Sequence, residues 1–179
     1  MSREHAAALR ASPLCRLLSA AEVQTIAAIA QTRRVAAGKE LFREGDPGDG
    51  VYLVLSGEID VVKRSSGGER SLASLGAGAV LGEMALLTAD ARSATGRALS
   101  DTNLLHLPAA RFRALLEQGS PAALKVIAGI SEVLARRLAA TNAKVVELAE
   151  KLEAAGGSSA KLKDEELAEL HRTLHVWSF

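Results

Sequence analysis

The stretch VYLVLSGEIDVV, residues 51–62, holds two short apolar runs separated by a polar turn that contains Gly57. Every second residue of the first run points to the same side of an extended chain, which groups Val51, Leu53 and Leu55 against Tyr52, Val54 and Ser56. Short runs of β-branched and aliphatic residues that end at a glycine are typical of β-strands. Two consecutive short strands are therefore predicted here.

The same character extends outward from this stretch, from Gly38 to about residue 107. Ten of the 15 glycines in the chain lie between residues 38 and 82, where they interrupt the short apolar runs. The sequence SSGG at residues 65–68 predicts a hairpin tip between two strands. Short strands at this spacing are typical of an antiparallel sandwich or barrel.

Helical patterns flank this β-region on both sides. Residues 3–36 are predicted to be helical, and Ser19 with Glu22 resembles a capping box ahead of helically spaced apolar residues. After Pro108, a short helix is predicted over residues 109–118 and a long one over residues 121–154. The predicted organisation is therefore N-terminal helices over 1–36, a β-domain over 37–108 and C-terminal helices over 109–155.

The long helix carries an apolar stripe at steps of three and four residues, which is close to the heptad pattern of a coiled coil. The stripe comprises Ile127, Ile130, Leu134, Leu138, Thr141, Val145, Leu148 and Leu152. The pattern favours a homodimer through helix 121–154, and the alternative is a helix packed on its own β-domain. Residues 156–179 are predicted to form a flexible joint and a tail helix that acts as a lid, docks on the β-domain or binds a partner.

Composition excludes several classes of protein. The chain has 179 residues, of which 48% are hydrophobic and 24% charged, so it is not disordered. A net charge of +1 gives no overall attraction to DNA or membranes, and no apolar run of membrane-spanning length is present. The single cysteine, Cys15, and the lack of a secretory signal indicate a cytoplasmic protein. Only His106 of the four histidines lies in the β-region, so no metal, cofactor or enzymatic activity is expected.

The segment VLGEMALLTADARSATGRA, residues 80–98, combines a Gly82-Glu83 pair with Arg92 among small residues. Small residues beside a fixed charge allow another group to approach the backbone closely. The pattern leaves three interpretations open: a buried ion pair, a metal site, or a site for a small anionic ligand.

Four pieces in order resemble the cyclic-nucleotide-binding domain family, in its branch of catabolite activator protein-like sensors, here without the DNA-binding domain. The pieces are GKELFREGD (38–46), YLVLSGEI (52–59), GEMALL (82–87) and RSAT (92–95). The resemblance covers roughly residues 12–153. It implies an α+β fold: an antiparallel β-roll of the double-stranded β-helix or jelly-roll type, flanked by N-terminal helices and a long C-terminal dimerisation helix.

The resemblance also implies a ligand site. Glu83 corresponds to the acid that binds the ribose 2′-OH, Arg92 to the arginine that binds the cyclic phosphate, and Ser93 to the next residue, whose hydroxyl adds to the phosphate site. Gly82 lets the backbone approach, and residues 82–87, which include Met84 and Ala85, are expected to form a one-turn helix whose N–H groups face the anion. The alternative is a ligand-free scaffold that kept the fold, in which Glu83 and Arg92 form an internal ion pair.

The long helix is expected to contribute the base contacts. By the same resemblance Thr141 and Asn142 face the base, one of them from the partner subunit of a dimer. Ser93 stands where some members carry the Thr that favours guanine, so cyclic AMP is the expected ligand and cyclic GMP the alternative. Two positions depart from the family pattern: Ala91 replaces a common Pro, and Gly96 replaces a β-branched residue.

The output of such a sensor is less defined by the sequence. The roughly 25 residues after the long helix are too few for a helix-turn-helix module and lack a basic face, so no DNA binding by this chain is expected. A ligand-induced hinge change would pass to the long helix and then to an unidentified effector protein.

Overall fold

The computed structural model describes residues 2–65, 68–88 and 90–154. The helices are α1 Ser2–Ala11, α2 Ala20–Ile29, α3 Met84–Leu87, α4 Ala109–Glu117 and α5 Pro121–Ala154, with a 3-10 turn at Pro13–Cys15. The strands are β1 Gln31–Val35, β2 Glu40–Phe42, β3 Gly50–Ser56, β4 Ile59–Ser65, β5 Gly68–Leu75, β6 Val80–Leu81, β7 Thr95–Ala98 and β8 Thr102–Pro108.

The eight strands form two antiparallel four-stranded sheets, in the orders β1-β8-β3-β6 and β2-β7-β4-β5. The predicted α+β fold with an antiparallel β-roll is confirmed. Strands β4 and β5 form the predicted hairpin, with Ser65 opposite Gly68, while residues 66 and 67 lie outside the described part. The predicted joint and tail helix, residues 156–179, also lie outside it.

Strand β3 is buried on both faces, because the roll has two cores. One face of β3 contributes Val51 and Leu53 to a core shared with the helices. The other face contributes Tyr52 and Val54 to a second core, together with Ile59 and residues of both sheets. The absence of polar alternation in this strand follows from its central position.

The prediction that residues 3–36 are helical throughout was wrong at its C-terminal end. Helix α2 ends at Ile29, and Gln31–Val35 form strand β1 at a sheet edge, paired with β8. The helically spaced apolar positions stop at the end of α2, and the polar residues that follow obtain their backbone hydrogen bonds from β8. That partner is distant in sequence, so the local pattern did not reveal the strand.

The start of helix α2 has the cap that the sequence predicted. The capping box is present: the Ser19 N–H donates to Glu22 Oε2 (2.7 Å), and the Glu22 N–H donates to Ser19 Oγ (3.4 Å). Lys125 Nζ of α5 also donates to Glu22, and this hydrogen bond is the main reason why the pKa of Glu22 is lowered to about 2. Cys15 is buried, and desolvation raises the pKa of its thiol to about 12, so it packs as an unreactive apolar group.

The chain divides into two compact units, and the boundary between them lies within helix α5, between Leu134 and Ala135. In the first unit Ile130 is fully buried in the core that β3 shares with the helices, and Ile127 and Leu134 pack against that core. The alternative interpretation, packing on the chain's own domain, therefore holds for this half of the predicted seam. In the described part of the second unit Leu138 is exposed. No helix within the described ranges has both the length and the apolar character needed to cross a membrane.

Candidate functional site

The backbone around Arg92 is held in place by the turn that follows β2. The Arg92 N–H donates to the Asp46 carbonyl (2.8 Å), and the Arg92 carbonyl accepts from the Gly45 N–H (2.9 Å). Ala91 forms a β-bridge with Pro47. These contacts fix the loop before Arg92 without the proline that is common at position 91.

The Arg92 guanidinium is enclosed, with only 4% of the side chain exposed. It donates hydrogen bonds to the carbonyls of Gly82 (3.1 Å) and Gly50 (2.8 Å) and forms an ion pair with Asp49. Its Cζ lies 4.3 Å from the centroid of the Phe42 ring, a cation–π contact. Its Nε is buried and has no hydrogen-bond partner among the described residues. Leaving a buried donor unsatisfied costs roughly 1–3 kcal/mol, so this side of the group favours an added acceptor.

Gly82 leaves the space that the guanidinium fills. Its φ is +73°, a left-handed conformation that favours glycine. A Cβ at this position would also lie within 3.0 Å of Arg92 Nη1, closer than real Cβ atoms approach other atoms. The Gly82 requirement therefore has two independent causes, the backbone conformation and the arginine.

The acid predicted to bind ribose lies directly after this glycine. Glu83 is 4% exposed and is the residue before α3, directly after the glycine whose carbonyl accepts a hydrogen bond from Arg92. Ala85 in α3 is buried against Gly48, where a Cβ would come within 2.7 Å of the Ala85 Cβ. Met84 is 41% exposed. The structure thus brings Gly82 and Arg92 into contact, with Glu83 next in the chain. A one-turn helix is present as expected, but it comprises Met84–Leu87 and leaves out Gly82 and Glu83.

Ser93 lies at the edge of this region and is exposed. Its carbonyl accepts a hydrogen bond from Lys63 Nζ (2.6 Å), and Lys63 also pairs with Glu44 (3.1 Å). A second cation therefore lies beside the segment that follows Arg92. Such a cation adds positive potential for an anionic ligand.

Asp49 connects the arginine to two buried aromatic rings. Its Oδ1 accepts from Arg92, and its Oδ2 accepts from the Tyr52 hydroxyl (2.7 Å). Burial acts to raise the pKa of Asp49, but the hydrogen bonds from Tyr52 and Arg92 outweigh it, and the pKa is lowered. The Tyr52 ring stacks on His106 at 4.5 Å. Burial is the main cause that raises the pKa of Tyr52 and lowers that of His106.

A cavity of about 740 Å³ lies along β2, apart from Arg92, and is lined in part by Arg43 and Arg97. Both of these arginines already pair with Glu40, at 2.5 Å and 3.3 Å, and Arg97 also pairs with Glu69 (3.0 Å). Their side chains are 73% and 32% exposed, so water screens them. The enclosed Arg92 is therefore the stronger candidate for binding an anion.

Comparison with known proteins identifies the family. The family model for the cyclic nucleotide-binding domain matches residues 32–119, which include the whole Gly82–Arg92 site. The cyclic AMP receptor protein of Thermus thermophilus is 39% identical over 132 residues, covering 73% of this chain and 59% of the receptor. The chain belongs to the cyclic nucleotide-binding domain family.

Solved cyclic nucleotide-binding domains share the fold. One from Methylobacillus flagellatus has a TM-score of 0.72 and 27% identity, covering 82% of this chain and 83% of that one. The regulatory domain of Toxoplasma gondii PKA, crystallised with cAMP, has a TM-score of 0.59 and 34% identity, covering 63% of this chain and 43% of that one. Of the Thermus receptor, this chain spans little more than half of the length.

The two residues predicted to face the base belong to the other unit of the chain. Thr141 and Asn142 lie on α5 after residue 134 and are exposed there. The Thr141 hydroxyl donates to the Arg137 carbonyl one turn earlier (2.9 Å). That Thr141 and Asn142 contact the base of the ligand stays a prediction.

Sequence reasoning did not assign Asp49, Phe42 or Gly96 to the site. Asp49 stands between two glycines, a signal that its backbone is closely packed. Gly96 pairs with Phe42 across β2 and β7, and a Cβ there would lie 3.2 Å from the Phe42 ring. The departure from a β-branched residue at position 96 therefore leaves room for the ring on which Arg92 rests.

Proposed function

We propose that this cyclic nucleotide-binding domain is a sensor that binds cyclic AMP and passes a conformational change to α5. The observation that carries the proposal is the enclosed Arg92, whose buried Nε has no partner among the described residues and whose guanidinium contacts Gly82, the residue before the buried Glu83. A buried permanent cation and a buried carboxylate match the cyclic phosphate and the ribose 2′-OH of a cyclic nucleotide.

The chemistry of each contact supports this assignment. A cyclic phosphate carries one negative charge and can accept a charge-assisted hydrogen bond from the Arg92 guanidinium, which remains protonated. The ribose 2′-OH is a donor that pairs with the Glu83 carboxylate. The exposed Ser93 hydroxyl and the nearby Lys63 supply further groups at the phosphate end.

The choice of cyclic AMP is supported by two comparisons and one residue. The Thermus relative is named a cyclic AMP receptor, and the Toxoplasma domain was crystallised with cAMP. Ser93 follows Arg92 where a threonine would favour guanine. Cyclic GMP is the competing ligand in the experiment below.

The proposal includes a homodimer formed by the second half of α5. The first half is used in the chain's own core, whereas Leu138, which continues the stripe in the second half, is 39% exposed. Pairing of these turns would bury the apolar stripe and place Thr141 and Asn142 at the base. The protein would then act as a cytoplasmic, non-catalytic regulatory module, and sedimentation of the purified chain would measure its oligomeric state.

One observation favours a second candidate, a ligand-free dimerisation scaffold. Arg92 already has an internal counter-ion in Asp49 and two carbonyl acceptors, so its charge is partly compensated without a ligand. A scaffold of this kind would bind no cyclic nucleotide, although its fold would be the same.

Thermal-shift titration with cyclic AMP, cyclic GMP and 5′-AMP separates the two candidates. A ligand that binds only the folded state, at about 100 times its Kd, adds roughly 2.7 kcal/mol, which raises Tm by several degrees for a chain of this size. A shift with cyclic AMP and none with 5′-AMP is expected. Absence of a shift with either cyclic nucleotide would establish the scaffold instead.

Arg92→Ala and the matched control Arg97→Ala then locate the site. Removing a charge-assisted phosphate contact costs roughly 1.5–3 kcal/mol, so Arg92→Ala should weaken binding by about one to two orders of magnitude. Arg97 lies on β7, five residues after Arg92, and pairs with Glu40 and Glu69, so its variant should bind like the wild type. Equal affinities for both variants would refute the site.

A further inference from the structure

His106 lies in the interior of the roll beside the arginine's counter-ion. It is 5% exposed, stacks on Tyr52 with a ring separation of 4.5 Å, and places Nε2 3.7 Å from Asp49 Oδ2. The other oxygen of Asp49 pairs with Arg92. One carboxylate therefore lies between a titratable imidazole and the cation of the candidate site.

The approach of the imidazole to Asp49 depends on a glycine. Gly50 is the residue after Asp49, and a Cβ there would lie 2.6 Å from His106 Nε2. The Gly50 carbonyl is itself an acceptor for Arg92. The start of β3 thus lies against the histidine and the arginine at once, and a side chain at position 50 would separate Asp49 from the ring.

We propose that His106 is a positioning residue for the ligand site: when protonated it pairs with Asp49, frees Arg92 for an anionic ligand, and so makes affinity rise as pH falls. This inference rests on the proposed function, since it needs an anion at Arg92. The ligand class is a phosphodiester monoanion, which does not itself titrate near neutral pH.

The charges around His106 give the sign of the effect. The groups facing it are Asp49, Tyr52 and Arg92, with Arg33 from the neighbouring strand β1. Burial, Arg33 and Arg92 disfavour the imidazolium and Asp49 favours it, and the net result is a lowered pKa in the ligand-free protein. When an anion takes over Arg92, the Asp49 charge is no longer compensated by that arginine. Protonation of His106 then restores neutrality, so ligand binding takes up a proton.

The test is calorimetric titration of the full chain with cyclic AMP between about pH 5.5 and pH 8, the range in which a histidine changes charge. The variants are His106→Gln, Asp49→Asn and, as a matched control, His5→Gln. His5 is also buried, but it pairs with Thr32 and not with the arginine's counter-ion. Each titration is repeated in buffers of different ionisation enthalpy, which reports proton uptake directly.

Wild type and His5→Gln should bind cyclic AMP at least about fivefold more tightly at pH 5.5 than at pH 8. The affinity should change by no more than about tenfold per pH unit, which is the limit for uptake of one proton. They should also show a buffer-dependent enthalpy. Both effects should be absent in His106→Gln and Asp49→Asn. A merely structural histidine would change affinity at all pH values alike and would leave the slope in place.

The outcomes separate this inference from the proposed function. Binding of cyclic AMP with a flat profile in the wild type would overturn the role of His106 alone. No binding at any pH would overturn the proposed function, and the positioning role with it. If His106→Gln does not fold, Asp49→Asn decides, because it keeps the histidine and removes the charge that links it to Arg92.

Discussion

Replacement of Gly82 by alanine should damage both folding and ligand binding, and Gly38→Ala separates the causes. Gly82 and Gly38 have nearly the same backbone conformation, with φ of +73° and +75°. A Cβ at Gly38 would meet nothing within 4 Å, whereas one at Gly82 would collide with the Arg92 guanidinium. The two variants therefore share the backbone strain and differ in the collision.

The magnitudes follow from these two contributions. A left-handed alanine costs roughly 1–2 kcal/mol, which is the full effect expected for Gly38→Ala. Gly82→Ala adds the loss of one hydrogen bond of the buried guanidinium, the bond to the Gly82 carbonyl, at about 1.5–3 kcal/mol for a bond to a charged group. We expect a total loss of roughly 3–5 kcal/mol, comparable to breaking a buried ion pair.

Urea unfolding of the wild type and both variants measures the free energy of unfolding, and calorimetry with cyclic AMP measures affinity. Gly38→Ala should bind normally, and Gly82→Ala should bind at least about tenfold more weakly, because Arg92 no longer holds its position. If the two variants lose the same stability and bind equally well, the collision with Arg92 does not control the site.

Three further predictions concern the core and the pH response. Gly96→Ala, whose Cβ would lie 3.2 Å from the Phe42 ring, should lower the free energy of unfolding by roughly 1–3 kcal/mol. In urea unfolding its control, Gly76→Ala, should have little effect, because a Cβ there would meet nothing within 4 Å. Gly129→Ala should destabilise the chain although alanine favours helices, because its Cβ would lie 2.5 Å from the Leu14 carbonyl; a gain in Tm would contradict this packing. Because burial lowers the pKa of His106, the unfolded chain binds more protons below about pH 6.5, and the ligand-free protein should lose stability as pH falls through that range. Between pH 7.5 and pH 5.5 the free energy of unfolding should fall less for His106→Gln than for His5→Gln. Equal losses in the two variants would show that His106 titrates alike in the folded and unfolded states.

The difference between Gly96 and Gly82 shows why small residues are hard to interpret from sequence. Both are glycines in or beside strands, and a strand glycine by itself indicates only a weakened strand. Gly82 adopts a positive φ and borders Arg92, while Gly96 makes room for the Phe42 ring. The neighbours that explain them lie 10 and 54 positions away in the chain.

The sequence by itself determined the local features of this protein. The capping box at Ser19 and Glu22, the hairpin between β4 and β5, the one-turn helix α3 and the long helix α5 each follow from residues close together in the chain. The segment from Gly82 to Arg92 also marked the candidate site, because both of its charged residues lie in one short stretch.

Only the tertiary structure decided what those residues contact. Strand β1 forms because β8 is available to pair with it, and the first half of α5 is buried because the N-terminal helices pack against it. Asp49 became the partner of Arg92, and His106 the neighbour of Asp49, through contacts between residues 43 and 57 positions apart. Burial and long-range pairing depend on the whole chain, and for that physical reason no local pattern of residue types specified them.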